Sequence, residues 1–303
     1  MKRAIAEMPA VRPIPDRLAA SYAACREVHR VHGRTYYLAT RLLPAWKRPH
    51  VHALYGFTRY TDNIVDGRQP GRGERLAAWT RQLAAALDGE PSSDPILPAL
   101  AHTVEVFRLD RADLDAFLRS MAMDLSIRTY ATYDDLLGYM AGSAAAVGSL
   151  MLPILGTADR AAAQEPARQL AVAFQLTNFI RDIREDAELG RVYLPAEDLA
   201  AFNVRPRDLF DGRLTGCVRA LVAFEVLRAQ SHYARAVEGI ALLDPSSQPC
   251  IRAAYLVYGG ILDEIVRAGY DVFSRRATVP LHRRLALAAR GRLGGPVTAL
   301  PGP

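Results

Sequence analysis

Two acidic motifs about a hundred residues apart, each set in strongly apolar sequence, constrain this chain more than any other feature. The first reads Arg59-Tyr60-Thr61-Asp62-Asn63-Ile64-Val65-Asp66. The second reads Gln175-Leu176-Thr177-Asn178-Phe179-Ile180-Arg181-Asp182-Ile183-Arg184-Glu185-Asp186. Each places aspartates at i and i+4, which share one face of a helix. At about 100° per residue, Gln175, Asn178, Asp182 and Asp186 fall within a stripe roughly 80° wide, and Tyr55, Arg59, Asp62 and Asp66 fall within another. Hard oxygen ligands on one side of a helix suit Mg²⁺, and Mn²⁺ as well.

An aspartate pair on a helix is more often a solvated face than a site. Here the preceding residues, 53–57 and 170–176, are almost wholly apolar, and helices of that composition are buried on most sides. Like charges at this spacing destabilise an exposed helix by only ~0.2–0.5 kcal/mol, whereas uncompensated burial costs several times more. A bound cation removes that cost. Two such helices face to face would cage metal ions and the diphosphates they neutralise.

The rest of the chain is helical in pattern. Ala/Leu/Arg-rich stretches at 75–87, 112–125, 161–185, 217–243 and 251–270 are separated by Pro/Gly/Ser/Asp breaks, and alternating β-branched runs are absent. Gly190 is positioned to cap the second motif helix, with Pro195 beyond it. No long linker divides the chain. The simplest account is a single all-α domain over 1–303, with a helical core at about 16–293 and flexible termini at 1–15 and 294–303.

Composition narrows the function classes. Half of the 303 residues are hydrophobic, enough for a substantial core. Cys25, Cys217 and Cys250 lack metal-ligand spacing and suggest neither a disulfide framework nor a zinc site, which fits the cytoplasm. The net charge of +6 attracts acidic substrates or anionic lipid; no nucleic-acid motif accompanies it. The start of the chain lacks a signal-peptide core, and no run of eighteen uninterrupted apolar residues predicts a membrane span.

From about Tyr22 to about Leu285 the sequence resembles the head-to-head prenyl synthases, which comprise the phytoene, squalene and dehydrosqualene synthases. The string from Asn178 to Asp186, continuing through Gly190-Arg191-Val192-Tyr193-Leu194-Pro195, is the most specific element. Tyr36-Tyr37-Leu38-Ala39-Thr40-Arg41-Leu42-Leu43-Pro44 and the D-x-x-x-D of Asp62 and Asp66 also match, and residues 269–277 look most like bacterial phytoene synthases. Asn63 departs from the second consecutive aspartate of many bacterial members, but it lies off the ligand stripe.

The resemblance implies an all-α isoprenoid-synthase bundle with a central cavity. It also implies condensation of two geranylgeranyl diphosphates through a cyclopropyl diphosphate to phytoene, without NADPH. Metal ligation falls to Asp62, Asp66, Asp182 and Asp186 with Asn178. Diphosphate contacts fall to Arg59, Arg181, His32, Gly33, Arg34 and Thr35, and Gln175 faces substrate or ion. Tyr55, Tyr139 and Tyr258 match cavity-lining tyrosines whose faces stabilise cations. The run Gly142–Gly148 admits either prenyl chains or close helix packing. Arg275, Arg276, Arg283 and Arg284 form a basic cluster; most such clusters are solvated surface, and the functional reading is attraction to anionic lipid at the inner face of the membrane. Farnesyl-using squalene, dehydrosqualene or presqualene diphosphate synthases are the near alternatives; a class I cyclase or a non-catalytic isoprenoid-binding or assembly protein is the distant one.

Overall fold

The computed structural model describes residues 13–67 and 69–294. Residues 1–12 and 295–303, which make up most of the expected flexible termini, lie outside the described residues. A short 3-10 turn, Asp16–Leu18, leads into α1 (Ala19–His32), α2 (Arg34–Thr40), α3 (Arg48–Asp66), α4 (Arg72–Leu87), α5 (Leu97–Phe107), α6 (Arg111–Met123) and α7 (Tyr133–Met140). A π-helical segment, Ala141–Ala146, joins α7 to α8 (Val147–Leu155). Then follow α9 (Arg160–Arg181), α10 (Ile183–Glu188), α11 (Ala196–Ala201), α12 (Pro206–Phe210), α13 (Gly216–Ala236), α14 (Gln248–Arg267) and α15 (Leu281–Leu293). Among the described residues there is no strand, only two isolated bridges. The all-α expectation holds.

Helix starts follow from side-chain caps. Asp110, Thr132, Asp159 and Thr215 accept the orphan N–H groups of α6, α7, α9 and α13, and Thr132 forms a reciprocal box with Asp135. Two predicted segments are shorter than their periodicity suggests. The 161–185 pattern breaks at Asp182, and the 217–243 pattern leaves α-geometry at Ala236 and tightens into a 3-10 turn, Val237–Leu242. Within this turn Gly239 lies so close to Pro166 of α9 that a Cβ there would collide with the proline ring.

Packing arranges two groups of helices around a hollow. α3 packs on α1, α4 and α5, while α9 packs on α8, α13 and α14. Buried apolar side chains from Leu18 to Ala288 form one contiguous cluster. The helical run Tyr133–Leu155 is long and apolar enough to cross a membrane, yet 61% of its apolar window is buried within the fold against α6 and α9.

The small-residue run lies in this buried stretch, and both readings of it apply to different residues. A Cβ on Gly142 would strike the Ala116 carbonyl and the Ser120 hydroxyl of α6, and one on Gly148 would come 2.9 Å from the Ala167 carbonyl of α9. Gly142 serves helix packing, Ser143, Ala144 and Val147 line the hollow, and Gly148 does both. Gly142→Ala should therefore destabilise the protein by about 2 kcal/mol in chemical denaturation, because α6 has no flexible atom to yield at that point. A neutral result would mean that the π segment shifts freely.

Candidate active site

The hollow is a cavity of about 970 Å³, at the upper end of the roughly 300–1,000 Å³ of small-molecule sites. Along α9 it is lined by Ala163, Pro166, Leu170, Phe174, Asn178 and then Asp182, a single stripe at helical spacing. Nineteen residues at 1.5 Å each make that wall about 28 Å long. Val51, Leu54, Tyr55, Arg59, Asp62 and Asp66 form the corresponding stripe on α3. On both helices the stripe is apolar at one end and charged at the other. The cavity thus has a polar mouth and a long apolar floor, closed by Leu155, Ile240, Leu243 and Cys250.

Asp62, Asp66, Asp182 and Asp186 all line the mouth, and Asn63, exposed to solvent, does not. The second motif is not one unbroken helix as its pattern suggests: α9 ends at Arg181, and Asp182 has φ −104° and ψ 15°. The i−4 ladder nevertheless crosses the break, since Asp182 N donates to Asn178 O (2.8 Å) and Asp186 N to Asp182 O (2.8 Å). The ligand spacing survives the kink for that reason.

The electrostatics separate the four carboxylates. Burial, reinforced by repulsion from Asp66, pushes Asp62 up to about 7. Burial and then repulsion from Asp182 push Asp186 up to about 8, and Asp66 adds to this from the opposite helix. Burial also opposes ionisation of Asp182, but hydrogen bonds from Arg181 and Arg276 outweigh it and hold that carboxyl below the usual range. Among the described residues no hydrogen bond ties the Asp62 or Asp186 side chain.

Sequence reasoning missed the residues that brace this mouth. α10 ends in a Schellman motif: Gly190, at φ +74°, donates to Ala187 O (2.9 Å), and Arg191 N donates to Asp186 O (2.9 Å). That turn sends Arg191 back into the protein, where it is 4% exposed. Its guanidinium pairs with Asp66 at 2.6 Å and donates to the Asp124 carbonyl at 3.1 Å. Asp124, at the end of α6, accepts hydroxyl hydrogen bonds from Tyr139 (2.7 Å) and Tyr193 (2.9 Å). Arg191 lay within the matched string without a role, and Asp124 belongs to no sequence pattern.

The basic cluster is partly engaged within the fold. Arg276 donates to both oxygens of Asp182 (2.7 and 2.9 Å), Arg283 pairs with Asp263 and Glu264, and Arg284 lines the cavity. Only Arg275 remains as an exposed cation with no such role in this set.

The other predicted residues gather around the same mouth. His32, Gly33, Arg34 and Thr35 line it where α1 bends into α2. A Cβ on Gly33 would lie 2.6 Å from the Tyr55 ring, which stacks on His29 at 4.1 Å. Arg59 has a buried Nε with no partner. Arg181 is already clamped on Asp182 through two donors. Tyr258 donates to Asn178 Oδ1 at 2.8 Å and stacks on Tyr36, and Gln175 accepts a long 3.4 Å bond from Asn178. Tyr139 is buried beneath Asp124 with its ring at the cavity wall.

Among the described residues no three His, Cys, Asp or Glu side chains converge as a preformed metal site. The donor chemistry nonetheless fits a divalent cation. The facing carboxylates carry only oxygen donors, two of them resist ionisation where they stand, and neither is occupied by a hydrogen bond. The orphaned Arg59 Nε fits an anion just as well.

A model of the family described as squalene/phytoene synthase matches residues 29–283. The chain belongs to that family. Its relatives include the phytoene synthase of Arthrospira platensis, 37% identical over 89% of this chain and 92% of that one. The 15-cis-phytoene synthase of Synechococcus elongatus is 36% identical over 88% and 91%. Among solved structures, a dehydrosqualene synthase in complex with ligand superposes with a TM-score of 0.85 at 27% identity, covering 91% of this chain and 97% of that one. The squalene synthase HpnC from Alicyclobacillus acidocaldarius gives 0.78 at 29% identity, covering 85% and 97%. Squalene and dehydrosqualene synthases thus share the fold of this chain, and the protein is a prenyltransferase.

Proposed function

We propose that this enzyme condenses two geranylgeranyl diphosphates head to head, through a cyclopropyl diphosphate, to phytoene. One observation carries the reading: facing aspartate pairs guard the mouth of a long apolar cavity, in a chain 37% identical to a phytoene synthase over most of its length. Residues 1–303 act as a single catalytic domain in this reading.

Asp62, Asp66, Asp182 and Asp186, with the Asn178 carbonyl, would hold Mg²⁺ or Mn²⁺, which supplies Lewis-acid charge to the departing diphosphate. The protein's own groups do the rest. Arg59 turns its free Nε to diphosphate oxygens, with His32, Arg34 and Thr35 across the mouth. Arg181 and Gln175 complete that lining, Arg181 keeping Asp182 ionised. Leu170, Phe174 and the apolar floor seat the prenyl chains and keep water from the allylic cation. The faces of Tyr55 and Tyr258 border its path, and Tyr139 supports them from below. The final step loses a proton rather than gaining a hydride, so NADPH is not consumed. A surface carrying +6 overall favours contact with anionic membrane on the cytoplasmic side, where substrate and product partition.

The squalene-type alternative uses the same mouth and differs in chain length. Purified protein incubated with Mg²⁺ and either geranylgeranyl or farnesyl diphosphate, with and without NADPH, separates the two by mass spectrometry. The expected product is a forty-carbon hydrocarbon from the longer substrate without NADPH. A thirty-carbon product would move the enzyme to the squalene branch, and no diphosphate release would leave a non-catalytic relative.

A further inference from the structure

A second concavity, of about 490 Å³, lies on the opposite side of α2 from the active-site cavity. Arg26 of α1, Tyr37 of α2, Arg41, Ala45, and Arg48, Pro49 and His52 of α3 line it. α2 is therefore a partition: Tyr36, Ala39 and Thr40 face the catalytic cavity, while Tyr37 and Arg41 face the groove.

Three arginines line this groove, Arg26 and Arg41 exposed and Arg48 half-buried, without a carboxylate among its seven lining residues. None of the three forms an ion pair among the described residues. Arg26 Nε donates to the Tyr37 hydroxyl (3.2 Å) and Arg48 Nε to the Leu43 carbonyl (2.7 Å), which orients both side chains and leaves their terminal nitrogens without a partner among the described residues. Glu27, next to Arg26 in the chain, is already clamped by Arg30. Solvated surface arginines are common, but they are seldom oriented into a walled concavity. Here Tyr37 stacks on His52 (5.5 Å), and His52 spends its Nδ1 on His29 (2.9 Å), so that Nε2 is its remaining polar atom. Burial, and then the charges of Arg26 and Arg48, keep that imidazole neutral, at about 4. The positive end of the α3 dipole points the same way.

We propose that this groove is a binding site for a phosphate-class anion, distinct from the catalytic mouth. Guanidinium forks match phosphate oxygens geometrically, and a bound anion would supply the counter-charge that no carboxylate lining the groove provides. It would also tie α1, α2 and α3 together behind the catalytic wall. The same chemistry is offered by free diphosphate and by the headgroup of an anionic lipid.

The test uses the full chain in EDTA, titrated calorimetrically with inorganic diphosphate. Wild type is compared with Arg26→Gln/Arg41→Gln and with a control of equal charge, Arg81→Gln/Arg119→Gln, which alters two exposed arginines elsewhere. In parallel, sedimentation with phosphatidylglycerol vesicles is measured against phosphatidylcholine vesicles. The groove variant should lose one diphosphate site or weaken it about a hundredfold, about tenfold per arginine, with the control unchanged. Loss confined to vesicle binding, again with the control unchanged, would assign the site to a lipid headgroup. Unchanged behaviour of the groove variant in both arms, or an equal loss in the control, would overturn the proposal.

Discussion

Asp62→Asn and Asp186→Asn should each reduce hydrocarbon formation about 10³-fold or more, on the order of 4 kcal/mol in the barrier, while raising the thermal stability of the metal-free protein at pH 8. The two effects have one cause. Each carboxylate is recessed at the mouth, without a hydrogen bond, and its folded-state pKa lies above the ordinary carboxylate value: about 7 for Asp62 and about 8 for Asp186. A carboxyl raised in this way contributes its stabilising difference below about pH 4 and loses it as pH rises through the folded value. In EDTA the wild-type midpoint should therefore fall between about pH 4 and pH 8. Each asparagine variant should remove part of that fall, on the order of 2 kcal/mol at pH 8 once water in the cavity is allowed for. Added Mg²⁺ should restore the wild type and leave the variants nearly unmoved. Calorimetric scans across pH, with EDTA or Mg²⁺, check this; variants less stable than wild type in EDTA would show that the acids are not strained by their surroundings.

Arg191→Met should act in the opposite direction. Its guanidinium is the buried cation between Asp66 and Asp124, and a methionine of similar length leaves those acids, together with Asp62 and Asp186, facing one another. Removing one partner of a buried ion pair costs roughly 3–5 kcal/mol. Asp66 is 46% exposed, so about 3 kcal/mol is the expected loss, several degrees in Tm. Because the lost charge is a cation at the carboxylate mouth, Mg²⁺ should recover part of this loss. Chemical denaturation with and without Mg²⁺ measures it. Equal losses under both conditions would make Arg191 a packing residue rather than an electrostatic brace.

These contrasts show which parts of the protein its sequence makes legible. The helices follow from apolar periodicity and Pro/Gly breaks, and the acid stripes follow from i, i+4 spacing, because both are local. The continuation of each stripe into the apolar floor was present in the same periodicity: Ala163, Leu170 and Phe174 sit in register with Asp182. An apolar lining residue and a core residue have the same side chain, so the pattern alone does not separate them. The break at Asp182 was hidden because the i−4 ladder continues through it. Arg191 finds Asp66 across 125 positions, and Arg276 finds Asp182 across 94, through chain reversals that no window of sequence contains. The ion pair of Arg276 is illegible in the sequence for the same reason: a run of like charges says nothing about the acids that the fold brings to it.

In the proposed mechanism the two aspartate pairs jointly hold divalent ions that receive the substrate's diphosphate. Crystals grown with Mn²⁺ and a non-ionisable thiodiphosphate analogue of geranylgeranyl diphosphate test it most directly, through the anomalous scattering of the metal. Manganese peaks are expected between Asp62/Asp66 and Asp182/Asp186, beside the diphosphate, with the prenyl chain running along α9 toward Ile240. An analogue bound in the cavity with no metal at either pair, or with metal ligated elsewhere, would contradict it.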